Sequence, residues 1–152
     1  MASSTGDTAP GDAGPTATSQ VLEFDLGDET YCVNIDYVAE IVDTGDVTSV
    51  PNSPHHVEGV MDLRGQTTTI VDPRTVYGTD TTGEGKRIIV FDPEAVEGQG
   101  AMGWIVDEVH QVVEVTDANV DDSPVEGDDS ITGIIKRDDQ FVIWVDPESA
   151  HT

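Results

Sequence analysis

Past about the first twenty residues, apolar and polar positions alternate in short runs. In Val21-Leu22-Glu23-Phe24-Asp25-Leu26, the side chains of Leu22, Phe24 and Leu26 share one side. Gly27-Asp28 supplies a turn, and Tyr31, Val33 and Ile35 then share one face of the next segment. A period of two with a tight turn predicts a β-hairpin, because successive strand side chains point to opposite faces. Residues 36–42 read two ways. A helical turn would set Val38 beside Ile41 or Val42, and a strand would not. Pro51 and Pro54 bracket a loop. Residues 57–61 and 67–71 read as strands joined through Leu63-Arg64-Gly65-Gln66.

The pattern is written twice. Residues 58–73 recur as residues 132–147 without a gap at a constant offset of 74, with Gly59/Gly133, Gln66/Gln140, Val71/Val145, Asp72/Asp146 and Pro73/Pro147 identical. At an offset of 71, residues 102–109 answer residues 31–38, with Asp36/Asp107 and Val38/Val109 matching, and Val42/Val113 continuing the match. Residues 87–92 answer the first strand. About nine or ten short strands are expected, with little helix. Five strands per half leave bare edges unless each half closes, so the expected architecture is all-β: two small barrels packed side by side. Residues 1–19 read as a flexible tail and residues 20–149 as the folded region, with interleaved subdomains at roughly 20–80 and 86–149. The cleft between them is a natural binding place.

Charge narrows the classes of partner. The 152 residues include 31 Asp and Glu against 6 Lys and Arg, a formal charge of −25. Nucleic-acid phosphates and anionic membranes are repelled by such a surface. The acids fall between regular apolar stretches, so we read a folded surface adapted to high salt, as in halophilic proteins, rather than a disordered chain. One cysteine, Cys32, excludes an internal disulfide and is expected as a buried, inert thiol in a reducing compartment. No basic-then-apolar leader and no long apolar run is present, so neither ordinary export nor membrane insertion is expected.

Candidate chemistry is thin. Asp43-Thr44-Gly45, preceded by Ile41-Val42, has the form used by aspartic proteases, but the repeat places Glu114-Val115-Thr116 opposite it. A two-lobed protease is excluded; a symmetric dimer of single-motif chains stays open beside an ordinary turn. His55-His56 are adjacent on a loop with no third ligand to complete a metal site. Asp121-Asp122 and Asp128-Asp129 lack calcium-loop spacing. No phosphate loop, nucleophile elbow or dinucleotide fingerprint occurs, and no cofactor or metal is expected. Arg64 stands apart as a cation at a hairpin turn in a negative field. A local salt bridge and a guanidinium offered to a partner's oxygens are both open readings.

Gly59-Val60-Met61-Asp62-Leu63-Arg64-Gly65, followed by Ile70-Val71-Asp72-Pro73-Arg74, resembles the Gly-Val-x-Asn-Leu-Arg-Gly and Val-Asp-Leu-Arg signature of the CheW family of chemotaxis coupling proteins. Residues 31–35, Val38-Ala39-Glu40-Ile41 and Val50-Pro51-Asn52-Ser53-Pro54 are also similar. Asp62 and Pro73 depart from the usual Asn and Leu. The resemblance implies two five-stranded SH3-like barrels. It also implies a non-catalytic adaptor that couples chemoreceptors to the regulatory domain of the histidine kinase CheA in signalling arrays. Such an adaptor is cytoplasmic and meets the membrane only through its partners. Receptor binding would use the groove between the barrels. Glu40 and Arg64 match family positions tied to partner contacts; Val38, Ile41 and Val60 are added as apolar candidates, with a place in the barrel core equally open to them. Alternatives are an adaptor of the same type for another kinase pathway, the dimeric aspartic protease, and a small-ligand sensor using the cleft.

Overall fold

The computed structural model describes residues 18–78, 85–96, 100–116, 120–121, 130–137 and 139–148. The strands are β1 (Thr18–Leu26), β2 (Glu29–Asn34), β3 (Val38–Asp43), β4 (Val57–Leu63), β5 (Gln66–Val71), β6 (Arg87–Phe91), β7 (Met102–Val106), β8 (Glu108–Thr116), β9 (Val120–Asp121), β10 (Ile131–Arg137) and β11 (Gln140–Val145). Among the described residues, one short helix, α1 (Pro73–Tyr77), follows β5, and one 3-10 turn spans Ile35–Tyr37. The molecule is all-β with minor helix, as the alternation predicts. β1 starts at Thr18, because its backbone keeps pairing with Thr116 beyond the last apolar side chain. The two readings of residues 36–42 resolve into the 3-10 turn and a strand. Pairing with β6, through a bulge between Val38 and Glu40, supplies the backbone partners that a lone helical turn would lack.

The strands form two sheets, ordered β8-β1-β2-β11-β10-β9 and β3-β6-β7-β5-β4. Each sheet is assembled across the repeat: β1 and β2 sit among second-half strands, and β6 and β7 sit among first-half strands. The sheets curl shut. β8 and β9 lie at opposite edges of one sheet, yet Thr116 and Val120 are only four residues apart. Four residues reach about 14 Å, whereas the edges of a flat six-stranded sheet stand about 24 Å apart. The other sheet shows the related device, with Thr48, beyond the end of β3, bridging to Val60 of β4. The result is two SH3-like barrels.

Three apolar clusters follow. Val21, Cys32, Val115, Ile135 and Val142 belong to the first sheet alone, and Met61, Ile70, Ile88, Val90 and Ile105 to the second alone. The largest draws on both, joining Leu22, Phe24, Leu26, Tyr31 and Val33 to Val71, Ile89, Phe91, Met102, Trp104 and Val106. Trp104 is the pivot, edge-on to Phe91 at 5.1 Å and to Phe24 at 6.2 Å between ring centres. Such edge-to-face pairs add about 0.5–1.5 kcal/mol each beyond their burial. Every residue of β7 is buried, so this strand is apolar on both faces. Cys32 is a fully buried thiol.

Candidate functional site

Arg64 owes its position to the β4–β5 hairpin. Leu63 pairs with Gln66, leaving Arg64-Gly65 as a two-residue turn. Both have positive φ, 55° and 83°, the geometry that matches the twist of the flanking strands. Gly65 adopts it freely, whereas Arg64 does so at a cost of about 1–2 kcal/mol. Asp62 Oδ1 accepts the Gly65 N–H at 2.8 Å and steadies the turn. An asparagine oxygen would accept the same bond, so Asp in place of the family's usual Asn keeps this interaction. Arg64 Nη1 then donates to Glu40 Oε2 of β3 at 2.5 Å, with 78% of the arginine side chain exposed.

The remaining candidates divide. Ile41 is 38% exposed and points away from the half-buried positions Glu40 and Val42 of the same strand. Val38 is half-buried against the shared cluster, so it does not line up with Ile41 on a helical face. Val60 is half-buried in β4, where its N–H and C=O bond to Thr48.

A groove of about 600 Å³ opens at the seam of the two sheets, lined by Ile41, Lys86, Arg87, Asp107, Glu108 and Val109. β3 and β6 contribute from one sheet and β8 from the other. Its floor is fixed by Asp107. This carboxylate accepts the N–H of Gly27 at 2.7 Å and of Gly85 at 3.0 Å, and the Arg74 Nη1–H at 2.8 Å. Arg74 is buried and also holds Asp72, with Nε to Oδ1 at 2.9 Å and Nη2 to Oδ2 at 3.0 Å. The Asp72 hydrogen bond raises the arginine pKa further above its ordinary value, against the opposing effect of desolvation. Burial pushes the Tyr31 phenol up to about 12 and raises Tyr37 as well.

The cluster of buried Arg74 and Asp72 with half-buried Asp107, and the groove cations Lys86 and Arg87, were not read as site residues from the sequence. Adjacent Lys86-Arg87, in a chain with six basic residues, was an available signal. Asp43 of the Asp-Thr-Gly motif is 83% exposed and bound to Arg87 at 3.0 Å, while Thr44 Oγ1 donates to the Gly85 carbonyl. This is a solvated turn with an ion pair. His55 is exposed, and the His56 carbonyl accepts the Asp72 N–H. Asp121 lies in β9; Asp122, Asp128 and Asp129 lie outside the described residues. Among the described residues, Asp25, Glu108 and His110 bring three ligand-type atoms within 4.8 Å of one another. His110 Nε2 already contacts Asp25 Oδ2 at 2.9 Å in an open setting, so a surface side-chain contact accounts for this part of the group. Among the described residues no helix is long and apolar enough to cross a membrane.

The family model described as CheW-like domain matches residues 20–151. "Chemotaxis protein CheW" of Thermotoga maritima is 30% identical over 131 residues, covering 84% of this chain and 83% of that protein. Its namesake in Klebsiella aerogenes is 29% identical, covering 90% and 83%. Among solved structures, scaffolding protein TtCheW from Thermoanaerobacter tengcongensis superposes with a TM-score of 0.74 at 27% identity, covering 86% of this chain and 90% of that one.

Proposed function

This chain belongs to the CheW-like family of chemotaxis scaffold proteins, and from that premise we propose that it joins chemoreceptor tips to the histidine kinase CheA without catalysing any reaction. It works in the cytoplasm and reaches membrane-bound arrays through these partners. The observation that carries the site assignment is the strained Arg64, held in a left-handed turn and braced on Glu40. The hairpin turn sets the positive φ, and the exposed guanidinium it holds out is the group that a partner's carboxylate or carbonyl would meet. Ile41 offers apolar surface in the groove, where a helical receptor hairpin would lay its anchors. Val38 and Val60 support the strands that present these groups. Signal passes when receptor state changes the kinase equilibrium through differential contacts.

Co-purification from lysate held at molar salt is the test. The expected catch is a histidine kinase together with long helical receptors. Arg64→Glu should lower recovery of at least one of them while circular dichroism stays native. Undiminished recovery of both removes Arg64 from the site.

A further inference from the structure

Three exposed cations of this acidic chain flank β3, and a fourth, Lys136, lies on β10 of the other sheet. Arg64, Lys86 and Arg87 are half of its six basic residues; Arg64 and Arg87 pair with carboxylates on opposite sides of β3, and Lys86 directly precedes Arg87. Arg64 reaches Glu40, Arg87 reaches Asp43, and the Lys86 carbonyl accepts the Thr44 N–H just past the strand. Two of them, Lys86 and Arg87, are also groove walls, facing Ile41 on the same sheet and Val109 across the seam. Elsewhere the surface carries most of a −25 charge, so an acidic partner is repelled. Here cations and carboxylates roughly balance. The Arg87–Asp43 pair is open to water, with 52% and 83% of its side chains exposed. Solvated pairs of this kind contribute little and exchange partners readily. Of the two other groove carboxylates, Asp107 is committed to Arg74 and two backbone N–H groups, while Glu108 is exposed at the start of β8 and lines the same opening.

We infer that the groove selects an acidic amphipathic helix. Lys86 and Arg87 receive carboxylates on its flank, and Ile41 and Val109 receive its apolar ridge. This rests on the groove being the receptor contact, and it adds the chemistry of the receptor segment that fits. In such a site charge sets specificity and the apolar strip supplies contact area.

The test uses the full chain and the cytoplasmic helical hairpin of a chemoreceptor from the co-purification, at the lowest KCl that keeps the circular dichroism native. A second hairpin has the acidic residues of its tip changed to Asn or Gln. Lys86→Glu with Arg87→Glu should bind the native hairpin at least about tenfold more weakly than the unaltered protein, because like charges then face each other. The milder Lys86→Gln with Arg87→Gln should show a smaller loss in the same direction. Against the neutralised hairpin these differences should vanish, and the unaltered protein itself should bind more weakly. Kinase binding by each variant reports that the fold is intact. Equal affinity of the unaltered and charge-reversed proteins for the native hairpin overturns the inference while leaving the receptor site standing. No hairpin binding by the unaltered protein, with kinase binding retained, overturns the groove as receptor site and the inference with it.

Discussion

Arg74 shows how far a single residue departs from its usual habits here. Arginine belongs at surfaces, yet this one is buried between Asp72 and Asp107. Asp72 is its neighbour in sequence, but Asp107 arrives from the other half of the chain, and that contact makes the burial tolerable. Removing the guanidinium strands a buried carboxylate. Arg74→Met should therefore destabilise the fold by about 3–5 kcal/mol in denaturant unfolding at fixed salt. Arg87→Met, breaking an exposed pair with Asp43, should cost less than about 1 kcal/mol in the same assay. Asp72 and Pro73 were legible as part of the repeat, and their role is local: Asp72 caps α1 by accepting the Arg74 N–H, and Pro73 fills the first turn. The burial of Arg74 was not legible, because nothing local announces a partner 33 positions away.

At the level of elements, the repeated glycines explain themselves. Gly59 and Gly133 occupy matching bulges, between β4 and β5 and between β10 and β11. A Cβ on Gly59 would stand 2.1 Å from the Thr48 carbonyl oxygen, and one on Gly133 would stand 2.8 Å from that of Asp121. Each glycine lets the strand pass against the segment that closes its barrel. Gly59→Ala should cost about 2–3 kcal/mol in chemical unfolding. Gly65→Ala meets no atom within 4 Å and carries only the penalty of φ 83°, about 1 kcal/mol. Similar losses in the two variants would contradict this assignment. β1 was visible because Leu22, Phe24 and Leu26 alternate with polar residues, and β5 because its β-branched run recurs in the repeat. β3 was ambiguous because Val38, Ile41 and Val42 fit either period, and only its pairing with β6 decides. The site was half visible: Arg64, Glu40 and Ile41 stand in recognisable motifs, whereas the groove exists only where β3, β6 and β8 converge.

For the whole molecule, charge is the governing quantity. Thirty-one acidic residues around clusters this small repel one another, and the repulsion falls as the Debye length shrinks to about 3 Å at molar salt. The melting temperature should rise steeply with KCl, and structure should be lost near a few millimolar. Circular dichroism unchanged across that range would show that the acids are no burden on this fold. The duplication was legible from residues 58–73 alone. Interleaving of the halves was expected, but which strands pair across them was not legible, since a period of two says which side a residue faces and is silent about which neighbour it meets.

That interleaving has a consequence for the connection between the halves. Severing the polypeptide between Gly78 and Gly85 would divide each sheet between two pieces, because both are woven from strands on either side of that segment. A fragment ending at Gly78 would leave β3 and β5 without the strands that lie between them, and a fragment starting at Gly85 would likewise separate β8 from β11. Neither piece is a module that a genome could lend to another protein; each is half of a clasp, and only the pair fastens.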